Sequence, residues 1–153
     1  MKVVGMIPAR LQSSRLPKKA LIDICGLPMV IHTCKRSQLA KKLDEVFLVT
    51  DSDEIRKAGQ AHGIKVLMTS PDHQTGSDRL AEACNKIDCE IVVNIQGDEP
   101  LVEPAHIDAL VEPLIKNPTL QISLGITPFS KKHSASDIKG MRPRRQHPLH
   151  VAH

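Results

Sequence analysis

A chain of 153 residues and 16.8 kDa is the size of one ordinary domain, long enough to bury a core without disulfide or metal support. Its 41% hydrophobic and 25% charged residues describe a globular chain, and two phenylalanines with no tryptophan or tyrosine exclude the aromatic platforms on which single-stranded nucleic acids stack. The formal charge of +4 belongs to the C-terminal end: Lys131, Lys132, Lys139, Arg142, Arg144 and Arg145 face one acid, Asp137, while residues 1–130 carry 15 cations against 16 acids. A neutral body gives no electrostatic reason to expect a nucleic-acid partner.

Residues 2–7 (KVVGMI) read as a first strand, stopped by Pro8 for want of an amide donor. Residues 28–40 have helical apolar spacing at Met29, Val30, Thr33, Cys34 and Leu39, with Pro28 suited to a first turn. Residues 45–50 (EVFLVT) form a second strand. Residues 51–62 form a helix opened by an Asp or Ser cap and closed by Gly63 in a left-handed conformation. A third strand at 65–69, a helix at 77–87, a fourth strand at 90–95, a helix at 104–115 and a fifth strand at 120–126 follow. Strands apolar on both faces and separated by helices predict an α/β fold with a doubly wound, mostly parallel sheet. Cys25, Cys34, Cys84 and Cys89 include no C-x-x-C pair and read as reduced core thiols of a cytoplasmic protein. No apolar run approaches the roughly 20 residues of a membrane span.

In such a sheet the ligand lies beyond the carboxyl ends of the strands, which singles out three polar loops. The first, P-A-R-L-Q-S-S-R-L-P-K-K-A, sets Arg10, Arg15, Lys18 and Lys19 directly after a buried strand. Cations and backbone amides so placed suit phosphate oxygens; the same residues also suit a solvated basic turn. The second, T-S-P-D-H-Q-T-G-S-D-R-L, groups His73, Gln74 and Arg79 beside a helix start. Gly76 there permits an unusual backbone angle and Ser77 or Asp78 can cap, while the other polar groups suit a base edge or a phosphate. The third, N-I-Q-G-D-E-P, places Asp98 one step past a glycine that lets it turn sharply, the setting of a carboxylate holding magnesium beside substrate phosphates; Glu99 also suits a helix cap. Cations, base-reading groups and a metal carboxylate on one sheet edge point to a nucleoside-triphosphate enzyme.

Four segments carry a closer resemblance: I-P-A-R-L-Q-S-S-R-L-P-K-K-A-L, G-L-P-M-V-I-H, D-H-Q-T-G-S-D-R-L-A-E and V-N-I-Q-G-D-E-P. In this order and spacing, residues 1 to about 127 resemble the amino-terminal half of the 3-deoxy-manno-octulosonate cytidylyltransferases, the CMP-Kdo synthetases of lipopolysaccharide assembly. The resemblance implies a Rossmann-like nucleotidyltransferase fold, incomplete at the C-terminus. It implies transfer of CMP from CTP to the anomeric hydroxyl of Kdo, with Mg2+ as cofactor and release of pyrophosphate. It assigns Arg10, Arg15 and Lys19 to the triphosphate and His73, Gln74, Ser77 and Arg79 to the base, ribose and phosphates. Gln96 and Asp98 face the reacting centre, with Asp98 on the metal and Arg15, Lys19 and Asp98 as the catalytic set. CTP and a sugar acid are the implied partners, with a homodimer suggested by the family. His32 and His106 are left without a role.

The resemblance fades after Ile126 and is gone by about Gly140. Residues 1–127 are therefore expected to form the nucleotide-binding domain. Residues 128–153, rich in Arg, Pro and His without hydrophobic periodicity, are expected to form a divergent and disordered basic tail, as if read out of frame. Two further readings follow: a non-catalytic remnant that at most binds CTP, and an acylneuraminate cytidylyltransferase, disfavoured by the D-H-Q-T-G-S-D-R and Q-G-D-E-P segments.

Overall fold

The β-branched runs pair into a parallel sheet in the computed structural model, which describes residues 1–12, 16–125 and 151–152. In chain order the elements are β1 (Val3–Ala9), a short 3-10 turn (Lys19–Leu21), β2 (Asp23–Ile24), β3 (Leu27–Pro28), α1 (Met29–Ser37), β4 (Glu45–Thr50), α2 (Asp53–Ala61), β5 (Lys65–Met68), α3 (Gly76–Cys84), β6 (Ile91–Asn94), α4 (Pro104–Lys116), β7 (Ile122–Ser123) and β8 (Val151–Ala152). The six-stranded sheet has the order β5-β4-β1-β6-β8-β7 with every pairing parallel, and β2 and β3 form a separate antiparallel hairpin. The chain winds outward from β1 through β4 to β5, then crosses back to place β6 on the other side of β1. The expected doubly wound sheet is the one found, and its switch point is the β1/β6 crevice.

Alternation along β1 divides the core. Val3 and Ile7 join Val30, Ile31, Leu48, Ile55, Val93 and Val111 on the face covered by α1, α2 and α4. Val4 and Met6 join Phe47, Val49, Leu80, Ala83 and Val92 beneath α3. The strands are buried on both sides because helices cover both, so they read as continuous apolar runs.

Pro8 does not end β1. The Met6 carbonyl accepts from the Ile95 amide at 2.9 Å, so the even-numbered residues of β1 turn their backbone groups toward β6. The register with β6 stops at Met6↔Asn94, whereas pairing with β4 runs on to Ala9↔Thr50. The missing N–H of Pro8 therefore falls beyond the last β6 bond and removes none. The fifth expected strand shrinks to Ile122–Ser123 because its neighbour β8 offers only two residues; residue 126 lies outside the described residues. Of the expected tail, residues 128–150 and 153 lie outside the described residues, and Val151–Ala152 pairs between β6 and β7.

Local chemistry sets the helix ends. Ser52 caps α2 by accepting from the Ile55 amide, and Gly63 takes the left-handed φ of +72° after its end. Pro28 is the N-cap of α1 rather than a first-turn residue, since it also pairs with Asp23 in the hairpin. The two-residue hairpin turn puts Cys25 at φ +51° and Gly26 at +88°, the signature of a type I′ turn, so Cys25 is exposed rather than in the core.

Gly59 is where α2 meets the sheet: an added Cβ would lie 2.7 Å from Val66 Cγ2 and 3.1 Å from Leu48 Cδ2. Alanine favours a helix over glycine by about 1 kcal/mol, yet overpacking this contact costs about 1–3 kcal/mol. Gly59→Ala is thus expected to lower the urea midpoint; an unchanged or raised midpoint would mean that α2 moves off β4 and β5 freely.

Candidate nucleotide site

A cavity of about 360 Å³ opens at the carboxyl ends of β1 and β6, within the roughly 300–1,000 Å³ of small-ligand sites. All three polar loops reach it: Arg10, Gln12 and Lys19 after β1, residues 73–76 ahead of α3, and Gln96, Gly97 and Asp98 after β6. Ser77, exposed on the first turn of α3, does not line it, and Arg15 lies outside the described residues.

The phosphate-side loop is held in an uncommon conformation. Lys18 sits in the left-handed region at φ 53°, its amide donating to the Leu11 carbonyl at 3.2 Å and its ammonium to Glu54 at 2.7 Å. Lys19 then starts the 3-10 turn and places Nζ 2.7 Å from Asp98 Oδ2, with both side chains nearly half exposed. Arg10 lines the cavity and has no ion pair among the described residues.

Asp98 is positioned by its neighbours. The Glu99 amide donates to the Gln96 carbonyl at 3.2 Å, closing a turn around it. Gly97 has no positive φ; its smallness serves close approach instead, since a Cβ there would lie 3.0 Å from the Pro8 carbonyl. From below, the fully buried Thr33 donates its hydroxyl to the Gly97 carbonyl at 3.2 Å. Thr33 reads in sequence as one more member of an apolar stripe.

On the third side, Thr75 rather than Ser77 or Asp78 caps α3. Thr75 Oγ1 accepts from the Asp78 amide and Asp78 Oδ2 accepts from the Thr75 amide, a reciprocal capping box. Gly76 is the first helical residue with no positive φ, correcting the expected unusual angle. Arg79 borders the cavity but is only 4% exposed; its Nη1 donates to Thr69 Oγ1 at 2.6 Å and lies 3.3 Å from Asp51 Oδ1. Its charge is largely engaged by the protein. His73 is 2.5 Å through Nε2 from Glu82 Oε2, and the Ser70 amide donates to the same oxygen at 2.8 Å. Lys86, then the Ser70 amide and His73, hold the Glu82 carboxyl down at about 2. Asp51, Thr69 and Glu82 were not among the expected site residues; the T-x-x-D spacing at Thr75 was the one sequence signal of this capped, tethered loop.

Other candidates fall away from the cavity. His32 Nε2 meets the Ile24 carbonyl at 2.6 Å and ties α1 to the hairpin. Burial pushes the Cys34 thiol up to about 12 and the Cys84 thiol to about 11, as expected of core residues rather than nucleophiles. Met29 is buried as expected, yet it also borders the cavity. No described helix is long and apolar enough to cross a membrane.

No group of three His, Cys, Asp or Glu side chains capable of holding a metal occurs among the described residues. Among the described residues Asp98 is the one acid lining the cavity. A single carboxylate of this kind fits magnesium carried by substrate phosphates.

A family model described as Cytidylyltransferase matches residues 4–142. The chain is 50% identical over 122 residues to the 3-deoxy-manno-octulosonate cytidylyltransferase of Geobacter sulfurreducens, covering 80% of this chain and 49% of that protein. It is 56% identical over 107 residues to the namesake from Leptothrix cholodnii, covering 68% and 39%. A CMP:2-keto-3-deoxy-manno-octonic acid synthetase solved in complex with CTP superposes with a TM-score of 0.79 at 41% identity, over 81% of this chain and 52% of that one. The chain thus spans about half the length of the relatives it matches. With the sheet, the switch-point cavity and the match over residues 4–142 in agreement, the chain belongs to the cytidylyltransferase family.

Proposed function

We propose that this chain binds CTP in the β1/β6 cavity and that, in a protein of its relatives' length, it supplies the nucleotide half of a CMP-Kdo synthetase. The carrying observation is the meeting of Arg10, Lys19, His73, Gln74, Gln96 and Asp98 around one cavity at the switch point. The names of the relatives favour Kdo over an acylneuraminate as the sugar acid.

Arg10 and Lys19 neutralise the triphosphate, joined by Arg15 on the same loop. Gln96 stands beside Asp98 at the reacting phosphorus. His73 and Gln74 border the base and ribose, with Arg79 holding that wall from behind through Thr69 and Asp51. Magnesium, when bound, offsets charge on the phosphates. The sugar hydroxyl attacks the α-phosphorus in line and pyrophosphate leaves, so catalysis is positioning plus charge stabilisation. Cytoplasmic CTP and Kdo are the substrates of this reading, and residues 1–127 are its nucleotide-binding unit.

Isothermal titration with magnesium tests base reading. CTP is expected to bind more tightly than ATP or GTP if the polar groups of His73 and Gln74, which line the cavity, read the base. Equal affinity for all three would remove the base-reading role of that wall.

A further inference from the structure

We propose that Glu82 is a positioning residue of this site: one carboxylate oxygen holds the Ser70 amide and the His73 ring together, so that residues 70–75 form a fixed wall and His73 offers only its Nδ1 to a ligand. This rests on the assignment of the cavity to CTP.

Glu82 lies on α3, two turns past the capping box, and reaches back to the loop that leads into its own helix. Oε2 accepts from the Ser70 amide at 2.8 Å and meets His73 Nε2 at 2.5 Å, which folds the three-residue step between them into a closed turn. Oε1 pairs with Lys86 at 2.7 Å, and Lys86 also donates to the Met68 carbonyl at 2.6 Å, at the end of β5. Thus Glu82 on α3 and Lys86 in the turn after it grip the loop at Met68, Ser70 and His73. Thr75, bonded to Asp78, closes the other end.

The carboxyl is held well below its usual range, so it is ionised at working pH and only accepts. The proton in the His73–Glu82 contact therefore sits on Nε2. Among the described residues Nδ1 has no partner, which leaves it as the ring atom open to a ligand in a residue that lines the cavity. A carboxylate that engages one histidine nitrogen and so selects the other for a ligand is a general device; here it acts through loop shape as well as tautomer. Because the loop belongs to the base side and not to the Lys19 side, the effect is confined to groups beyond the phosphates.

Glu82→Gln preserves shape while removing the charge, and its amide can donate to or accept from His73. Long-range 1H–15N NMR of the His73 ring, identified by its loss in His73→Ala, is expected to show a proton fixed on Nε2 in the native chain and mixed tautomers in Glu82→Gln. Titration is expected to show CTP binding weakened about tenfold, the scale of a lost charged hydrogen bond, with inorganic pyrophosphate binding unchanged. In a His73→Ala background the same substitution is expected to cost far less. An unchanged tautomer, unchanged CTP affinity, or equal losses for CTP and pyrophosphate would each overturn the proposal while leaving the CTP assignment standing. A native chain that binds no CTP would defeat that assignment, and this proposal with it.

Discussion

A polypeptide of these 153 residues, given CTP, magnesium and Kdo, is expected to release little or no pyrophosphate, while a chain extended to the length of its relatives turns over. The cavity is built from loops after β1 and β6 and ahead of α3, all of them on the nucleotide side. Among the described residues its lining holds a single carboxylate, Asp98, and no group of three metal-ligating side chains occurs. The chain spans about half the length of the relatives it matches, and on the proposed reading the groups that hold the sugar belong to the other half. An attacking hydroxyl that is not held forfeits up to ~7–11 kcal/mol of positioning, enough to make turnover undetectable. Contacts to the triphosphate are also weaker where water reaches them. A pyrophosphate-release assay of both chains is the check. Comparable rates would mean that the short chain, alone or with a second copy, builds a sugar site from elements outside the three loops.

Lys19→Ala is expected to weaken CTP by about tenfold or more and CMP far less. On the proposed reading its ammonium faces the outer phosphates, and a charged hydrogen bond contributes roughly 1.5–3 kcal/mol. The structure adds a second, opposite expectation. Lys19 is bonded to Asp98 at 2.7 Å, so triphosphate and metal must exchange partners with this pair as they bind. With both side chains nearly half exposed, the pair is of the surface kind, holding roughly 0.2–1 kcal/mol. Removing Lys19 should therefore strengthen magnesium binding slightly, by less than about fivefold on that scale. Asp98→Asn should abolish the magnesium dependence of CTP binding. Titrations with CTP, CMP and magnesium on the three proteins separate these effects. Equal losses of CTP and CMP in Lys19→Ala would make the loop a structural element, and magnesium dependence retained in Asp98→Asn would move the metal elsewhere.

The alternation of apolar runs and helical stretches was sufficient, by itself, to determine the parallel α/β sheet, because strands buried on both faces need β-branched residues at nearly every position. It also determined which loops carry chemistry, since a parallel sheet puts the polar turns after its strands at one edge. Asp98, Lys19, Arg10, His73 and Gln74 were legible on that ground and Gln96 through the family resemblance, and all six line the cavity. What the tertiary structure alone decided is how those residues are held. That Pro8 continues β1 depends on where β6 stops, a fact of register between strands paired 88 residues apart in sequence. That Gly97 is needed for its closeness to the Pro8 carbonyl, that Thr33 supports its peptide, and that Arg79 is spent on Asp51 and Thr69 are contacts between distant segments. No local pattern encodes them: periodicity reports which way a side chain faces, while a hydrogen bond or a van der Waals limit depends on which other element arrives opposite it.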